Sequence, residues 1–222
     1  MNITAALSLA GIGGVLGLIL AVASYKLRVE VDPRIDEIAA ILPGANCGAC
    51  GFPGCPGYAE AIVTKNAPIN ACVPGKDEVA QRVAEIMGKD AGAVHMERKV
   101  ARVICQGGTG IARNKYEYIG ISDCHAAAAQ FGGPKECAQA CIGLGSCEKA
   151  CPFGAIKIRE NGLPEIDPEA CTGCGICVET CPNCVLALIK GDQKVVVACR
   201  NKEKAKQAKA SCQAACIKCK IC

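Results

Sequence analysis

The first hydrophobic pattern is an uncharged run near the amino terminus. Residues 2–25 carry no charge, and residues 3–23 are almost wholly Ala, Leu, Ile, Val and Gly. About 20 such residues suffice for a helix to cross the hydrocarbon core of a bilayer. Because Lys26 and Arg28 follow directly, the positive-inside tendency predicts a single-pass anchor over residues 1–28, with the bulk of the chain on the cytoplasmic side of the cell membrane.

A cleaved signal peptide is the alternative for this run, since Ala21, Val22 and Ala23 resemble an A-x-A cleavage site. The segment lacks a basic start, and its apolar stretch is longer than that of a typical signal peptide. The pattern therefore favours the anchor. An exported disulfide protein remains a further possibility for a chain of this kind.

Apolar residues then recur at helical spacing. Asp32 and Pro33 predict the N-cap and first residue of a helix that ends before Pro43. Further helices are predicted over residues 58–65 and 76–87. Residues 29–95 are therefore expected to form one small helical module.

Short β-branched and apolar runs dominate the next part of the chain. We expect strands at residues 100–104, 155–158, 186–189 and 195–197, and a Lys/Ala-rich helix near the end. Residues 107–110 are Gly-rich but lack the lysine of a phosphate loop, so a turn is expected. The predicted fold is α+β, with a ferredoxin-like double-cluster domain at 96–192 and the start of a second ferredoxin-like domain at 193–222.

Composition points to a metal protein. Twenty of the 222 residues are Cys and none is Trp, so metal–ligand bonds are the natural substitute for a large apolar core. The net charge of +4 is small, and no basic stretch is interleaved with aromatic residues. Nucleic acid is therefore excluded as an expected partner.

The most specific motif has three cysteines at two-residue gaps and a fourth followed by Pro182. This spacing is that of the bacterial [4Fe–4S] run, in which the fourth Cys binds the other cluster of a pair. Structural zinc also uses CxxC pairs, but the fourth Cys-Pro makes zinc the weaker interpretation. The motif comprises Cys171, Cys174, Cys177 and Cys181.

An upstream partner motif ends in Cys151-Pro152 and has Leu144 where the middle Cys is expected. Cys137 is the nearest candidate for the missing ligand. Otherwise the cluster is [3Fe–4S] or has a more distant ligand. The exchange rule then predicts one cluster on Cys137, Cys141, Cys147 and Cys181, and a second on Cys151, Cys171, Cys174 and Cys177.

A third thiol group lies within the helical module. Its spacing suits one further [4Fe–4S] cluster, so at least three clusters are expected. The group comprises Cys47, Cys50, Cys55 and Cys72.

An internal repeat extends the pattern to the end of the chain. The run from Cys137 to Cys147 aligns with the run from Cys212 to Cys222, and Cys219 fills the position that Leu144 occupies. We expect the natural protein to continue past Cys222. The remaining thiols are interpreted as ligands of additional clusters, with buried or free thiols as the alternative: Cys105, Cys124, Cys184, Cys199, Cys212, Cys216, Cys219 and Cys222.

Seven basic residues and one acid, Glu203, lie between Cys199 and Cys222. They indicate either a solvated helix face or a docking patch for an acidic partner, centred on Lys202, Lys204 and Lys206. His95 and His125 are expected to be surface or structural residues.

The anchor, the first cysteine module and the paired-cluster motifs, in this order, resemble the B subunit of the Rnf complex, an ion-pumping ferredoxin:NAD oxidoreductase. The extra cysteines resemble the forms from anaerobes. The stretch around Cys47 is also similar to the cluster domain of corrinoid iron–sulfur proteins, but the likeness ends there. The resemblance implies an electron-transfer subunit that receives electrons from soluble ferredoxin and passes them to other membrane subunits, toward NAD reduction coupled to Na⁺ or H⁺ transport, with no substrate-converting site of its own.

Overall fold

The computed structural model describes residues 3–26, 32–89 and 97–221. The first helix, α1 (Ile3–Lys26), contains the uncharged run, and its apolar side chains from Ile12 to Val22 are more than half exposed. Within the described ranges, no helix is both long and apolar enough to cross a membrane. His95 and Cys222 lie outside the described residues.

Three helices form the module that follows: α2 (Pro33–Ile41), α3 (Gly54–Lys65) and α4 (Lys76–Met87). The Asp32 carboxylate accepts a hydrogen bond from the Arg34 N–H at 3.0 Å, so the predicted N-cap is confirmed. The bounds of α4 match the prediction, whereas α3 begins at Gly54, four residues before the predicted start. Cys55 therefore lies in the first turn of a helix.

Apolar side chains from all three helices meet in one core. Ile38, Tyr58, Ile62 and Val83 are almost fully buried there. Cys50, Cys55 and Cys72 pack against the same core, so the thiols lie at its edge.

The next part of the chain mixes two small antiparallel sheets with very short helices. β1 (Lys99–Val103) pairs with β4 (Leu186–Lys190), and β2 (Ile156–Ile158) pairs with β3 (Pro164–Ile166). Between them lie α5 (Cys124–Ala129), α6 (Ser146–Lys149) and α7 (Ile176–Glu179), of which α6 and α7 contact each other. This mixed helix and strand arrangement fits a ferredoxin-like module.

The last described element is α8 (Ala205–Ser211), the predicted Lys/Ala-rich helix. The predicted strand at residues 195–197 is wrong. No described strand pairs with this segment, and Val195 is 78% exposed, so the apolar run has neither a hydrogen-bonded neighbour nor a buried face. Ala112 instead forms an isolated bridge with Cys212, which ties the end of α8 back to the Gly-rich turn.

Candidate metal centres

The four cysteines of the helical module come together, and we call this group site A: Cys47, Cys50, Cys55 and Cys72. Cys72 is buried, and burial raises the pKa of its thiol, with a further contribution from the three neighbouring thiolates. The loop before α3 is held by Asn46, whose side-chain oxygen accepts the Cys55 N–H at 2.8 Å.

Tyr58 positions Cys72, the cysteine of site A that lies furthest along the chain from the other three. Its hydroxyl donates to the Pro68 carbonyl at 2.6 Å and accepts the Ala71 N–H at 3.1 Å. Because Tyr58 lies on α3 and Ala71 precedes Cys72, these two bonds hold Cys72 against the helix that carries Cys55. Burial raises the pKa of Tyr58 to about 12, so this hydroxyl stays protonated at neutral pH.

A second group lines a cavity with an empty volume of about 320 Å³, and we call it site B: Cys151, Cys171, Cys174 and Cys177. Ile156 of β2 and Leu188 of β4 line the same cavity. The spacing rule places the same four thiols together, with Cys151 arriving from the upstream motif.

A third group lines a neighbouring cavity of about 380 Å³, and we call it site C: Cys124, Cys141, Cys147 and Cys181. Ile158 and Leu186, each two residues from its counterpart at site B, line this cavity. Since alternate residues of a strand share a face, the same faces of β2 and β4 serve both cavities.

Cys137, expected from the spacing to join Cys141, Cys147 and Cys181, lies apart from the cavity of site C. Residues 134–137 run beside 113–115, where the Lys115 N–H donates to the Pro134 carbonyl at 2.7 Å and the Glu136 N–H donates to the Arg113 carbonyl at 2.9 Å. This pairing brings Cys137 beside Cys105 and Cys212 instead of the cavity of site C. Cys124, which the spacing left unassigned, lines the cavity of site C together with the other three thiols.

A polar clasp positions Cys124 at site C. The Ser146 hydroxyl accepts the Cys124 N–H at 2.7 Å and donates to the Asp123 carboxylate at 3.0 Å. Asp123 also caps α5 by accepting the Ala126 N–H, and this bond, with that from Ser146, lowers the pKa of its carboxyl group. The clasp joins α5 to α6, which carries Cys147. A cysteine 17 residues before Cys141 can therefore reach the site, a link that no spacing rule indicates.

Backbone groups surround the sulfurs closely. The Ala101 N–H donates to Cys171 Sγ and the Val185 N–H to Cys181 Sγ, both at 3.4 Å. Gly173, with φ 77°, faces the Lys99 carbonyl so closely that a Cβ atom would collide with it. Only glycine fits a position that combines left-handed backbone with this contact.

The thiols of sites B and C lie in surroundings that oppose a free negative charge. Burial, with a further contribution from neighbouring thiolates, raises the pKa of Cys177 and of Cys141 to about 12 and that of Cys147 to about 11. Positive charge brought by bound iron would offset this cost and release the protons. The donor set of four converging soft sulfurs therefore fits an iron–sulfur cluster at each site.

The sites are neighbours. Cys47 of site A raises the pKa of Cys174 of site B through its charge, and Cys147 of site C does the same for Cys177 of site B. Cys105 is also close enough to Cys141 of site C to affect its pKa. Site B therefore neighbours both site A and site C, and Cys105 neighbours site C.

Every cysteine between residues 47 and 219 is free. In the described ranges, no group of three or more His, Cys, Asp or Glu side chains has the geometry to hold one metal ion. This finding concerns sites for a single ion, such as zinc, whose sulfur ligands lie about 2.3 Å from the metal. The thiolates of a cluster surround a larger group.

The other predicted residues have separate surroundings. The Cys216 N–H donates to Cys199 Sγ at 3.4 Å, whereas Cys184 and Cys219 are exposed. An imidazole nitrogen of His125 lies 2.8 Å from the Thr180 carbonyl oxygen, so this histidine joins α5 to the loop before Cys181.

Two family models match parts of the chain that contain these cysteines. Residues 42–74 match a family model described as a putative Fe–S cluster, and residues 140–185 match one described as a 4Fe–4S dicluster domain. The first range contains site A. The second contains three of the thiols of site C and all of site B.

Relatives match over nearly the whole chain. The chain is 41% identical over 96% of its length to the B subunit of the ion-translocating oxidoreductase complex of Methanosarcina acetivorans, and covers 80% of that protein. It belongs to this family of B subunits.

Two further B subunits carry more specific names. The chain is 48% identical over 93% of its length to the B subunit of the Na⁺-translocating ferredoxin:NAD⁺ oxidoreductase complex of Acetobacterium woodii. It is 47% identical over 92% of its length to the B subunit of the proton-translocating ferredoxin:NAD⁺ oxidoreductase complex of Clostridium ljungdahlii. The chain spans 62% of the first of these proteins and 72% of the second.

We expect Cys124→Ala to lose the [4Fe–4S] cluster of site C while sites A and B keep their clusters. The three remaining thiolates bind at most three irons directly, so the iron content should fall by at least about one per chain and the EPR signal of one [4Fe–4S] cluster should disappear, measured after oxygen-free purification. Glu179→Ala, an exposed change on α7, is the control. Unchanged iron in Cys124→Ala would show that another residue completes site C.

Proposed function

We propose that this chain relays electrons from reduced ferredoxin through [4Fe–4S] clusters at sites A, B and C toward other subunits of the complex, which reduce NAD⁺ and move Na⁺ or H⁺. The observation that carries the proposal is the succession of neighbouring thiol groups. Each site contributes a cysteine close enough to the next site to alter the pKa of a thiol there.

A bound [4Fe–4S] cluster would accept and release one electron at a time. The protein's part is to hold the thiolates, exclude water and set the local electrostatics. Donation from the Ala101 and Val185 N–H groups stabilises the more negative, reduced state, and burial among apolar side chains opposes it. These two contributions act in opposite directions on the reduction potential at sites B and C.

The electron donor and the final electron acceptor in this proposal are taken from the names of two relatives. Both are subunits of complexes named ferredoxin:NAD⁺ oxidoreductase. The chain carries converging thiols and backbone donors, which suit electron carriage, so the chemistry at NAD⁺ is assigned to partner subunits.

The relay is tested by mixing reduced ferredoxin with the full chain without oxygen and freezing samples for EPR. The wild type should oxidise ferredoxin and show reduced clusters at successive sites. Cys177→Ala removes a buried thiol of site B, so the clusters on its two sides should no longer be reduced together in the first turnover. Glu179→Ala, two residues away and exposed, should behave like the wild type.

Three results would contradict the relay: purified protein with neither iron nor sulfide, protein that holds zinc alone, or loaded protein that leaves reduced ferredoxin unoxidised. The first two results would show that the chain binds no iron–sulfur cluster, and the third would show that ferredoxin is not its electron donor.

The basic patch of Lys202, Lys204 and Lys206 is proposed as the docking surface for ferredoxin. All three side chains are exposed at or before the start of α8. Glu203, between them, lies near Cys137, so the patch adjoins the thiols beyond site C. A positive surface there would steer an acidic carrier to the relay.

Charge reversal tests the patch. Lys204→Glu with Lys206→Glu should slow ferredoxin oxidation several-fold at low salt, and the difference should vanish near 1 M salt, where the Debye length is about 3 Å. Lys65→Glu, an equal change in charge per site at the end of α3, is the control. Equal rates for all proteins at low salt would refute the docking surface.

We also propose that α1 attaches the chain to the cell membrane as a single-pass anchor, with the remainder on the cytoplasmic side. Its support is the set of apolar side chains that face solvent, including Leu16 at 54% and Leu20 at 70% exposure, and the basic residue Lys26 at the carboxyl end.

Vesicle flotation of the full chain tests this attachment. The wild type should float with the vesicles, and Leu16→Asp with Leu20→Asp should stay in solution, because a carboxylate is costly in a bilayer core. Ile119→Asp, at a position 88% exposed far along the chain, is the control. Flotation of the double variant would refute the proposal that α1 is the anchor.

A further inference from the structure

Three cysteines from distant segments meet outside sites A, B and C. Cys105 follows β1, Cys137 lies in the segment after α5, and Cys212 directly follows α8. Cys137 is 8% and Cys212 is 7% exposed, the two share one buried cluster, and Cys105 and Cys212 are both close enough to Cys137 to raise the pKa of its thiol. The ferredoxin-type spacing does not group these three residues.

The backbone is built to bring them together. The Arg113 N–H donates to the Ser211 carbonyl at 2.9 Å, and the Gln213 N–H donates to the Ile111 carbonyl at 3.1 Å. These bonds fasten the residue before and the residue after Cys212 to the segment that follows Cys105. Pairing of residues 113–115 with 134–136 fastens Cys137 to the same segment.

Gly107 leaves open the space between two of the sulfurs. Its N–H donates to Cys105 Sγ at 3.3 Å. A Cβ atom added to Gly107 would lie 3.0 Å from Ala112 Cβ, 3.2 Å from Cys212 Sγ and 3.6 Å from Cys105 Sγ. The two thiols therefore face the same side of a backbone that carries no side chain at this point.

The buried residues of the surrounding core are all small. Its buried members are Ala and Cys alone, with Ile111 and Ala214 packed against them: Ala112, Cys137, Ala140, Ala208, Cys212 and Ala215. Such residues bury little apolar area, so hydrophobic burial alone is a weak reason for three chain segments to meet here. Metal–thiolate bonds would supply the missing stabilisation.

We propose that Cys105, Cys137 and Cys212 hold an additional iron–sulfur cluster, at a centre that we call site D. The proposal rests on the relay proposed above and extends it. Cys105 neighbours Cys141, so a cluster at site D would exchange single electrons with one at site C, each being reduced as the other is oxidised. Three thiolates bind three irons directly, which suits a [3Fe–4S] cluster or a [4Fe–4S] cluster with one further donor.

The alternative is that these three thiols are buried small hydrophobes, which free cysteines often are. Under that alternative, removing a thiol or adding a methyl group leaves the iron content unchanged. Under the proposal, both changes lower the iron content.

Two variants of the full chain test site D after oxygen-free purification. Cys137→Ala removes a thiolate, and Gly107→Ala keeps all the thiols but places a methyl group between Cys105 and Cys212. Each should lose about three or four iron per chain and the EPR signal of one cluster, while the signals of sites A, B and C remain. Ala214→Ser, which adds a polar atom to the same core, should keep the wild-type iron content.

The outcomes separate the two proposals. If the wild type binds iron and sulfide and both variants keep the same amounts, site D is refuted and the relay through sites A, B and C stands. If the wild type contains neither iron nor sulfide, the relay itself fails. A loss of iron in both variants with the other signals intact supports site D.

Discussion

The burial of closely packed thiols, with the repulsion between their thiolates as a second contribution, is the constraint on which the rest of the structure depends. At site C, Cys141 and Cys147 have pKa values raised to about 12 and 11, so neither would ionise at neutral pH without compensation. Bound iron would supply that compensation, because assembly of a cluster exchanges the protons for metal. The fold around sites B and C has only a small apolar core, its strands are three to five residues long, and its helices α6 and α7 have four residues each. Cluster binding would therefore be coupled to folding in this part of the chain.

The helical module is organised differently. Site A lies at the edge of a core of large apolar side chains, including Ile38, Tyr58 and Ile62, that does not depend on the thiols. Tyr58 links the two, since its ring packs in the core while its hydroxyl holds the segment before Cys72. Core and metal site thus support each other here. In the proposed relay, which electrons would enter at the basic patch beyond site C, site A is thus the station at the far end and the one whose fold depends least on its cluster.

Much of this architecture could be predicted from local sequence. Capping residues and helical spacing gave α2 and α4, and β-branched runs gave β1, β2 and β4. The spacing of Cys171, Cys174 and Cys177 describes a single tight loop, so their meeting is a local property. The position of Cys124 is not local, because it depends on the clasp between Asp123 and Ser146, 23 residues apart. For the same reason an apolar run at 195–197 predicted a strand that has no partner: pairing is a property of the tertiary fold.

The internal repeat explains why no sequence motif groups Cys105, Cys137 and Cys212. Cys212 aligns with Cys137, and Cys199 matches Cys105 because Val197-Ala198-Cys199 resembles Val103-Ile104-Cys105. Cys212 nevertheless lies with the two cysteines of the first repeat. The repeats thus exchange a thiol, as the two motifs of a ferredoxin pair exchange their fourth ligands. The contact between Cys199 and Cys216 repeats the proximity of Cys105 and Cys141 one unit later. An exchanged thiol makes each unit incomplete without the next, so neighbouring centres are held at short range by the chain itself, which a relay of electrons requires.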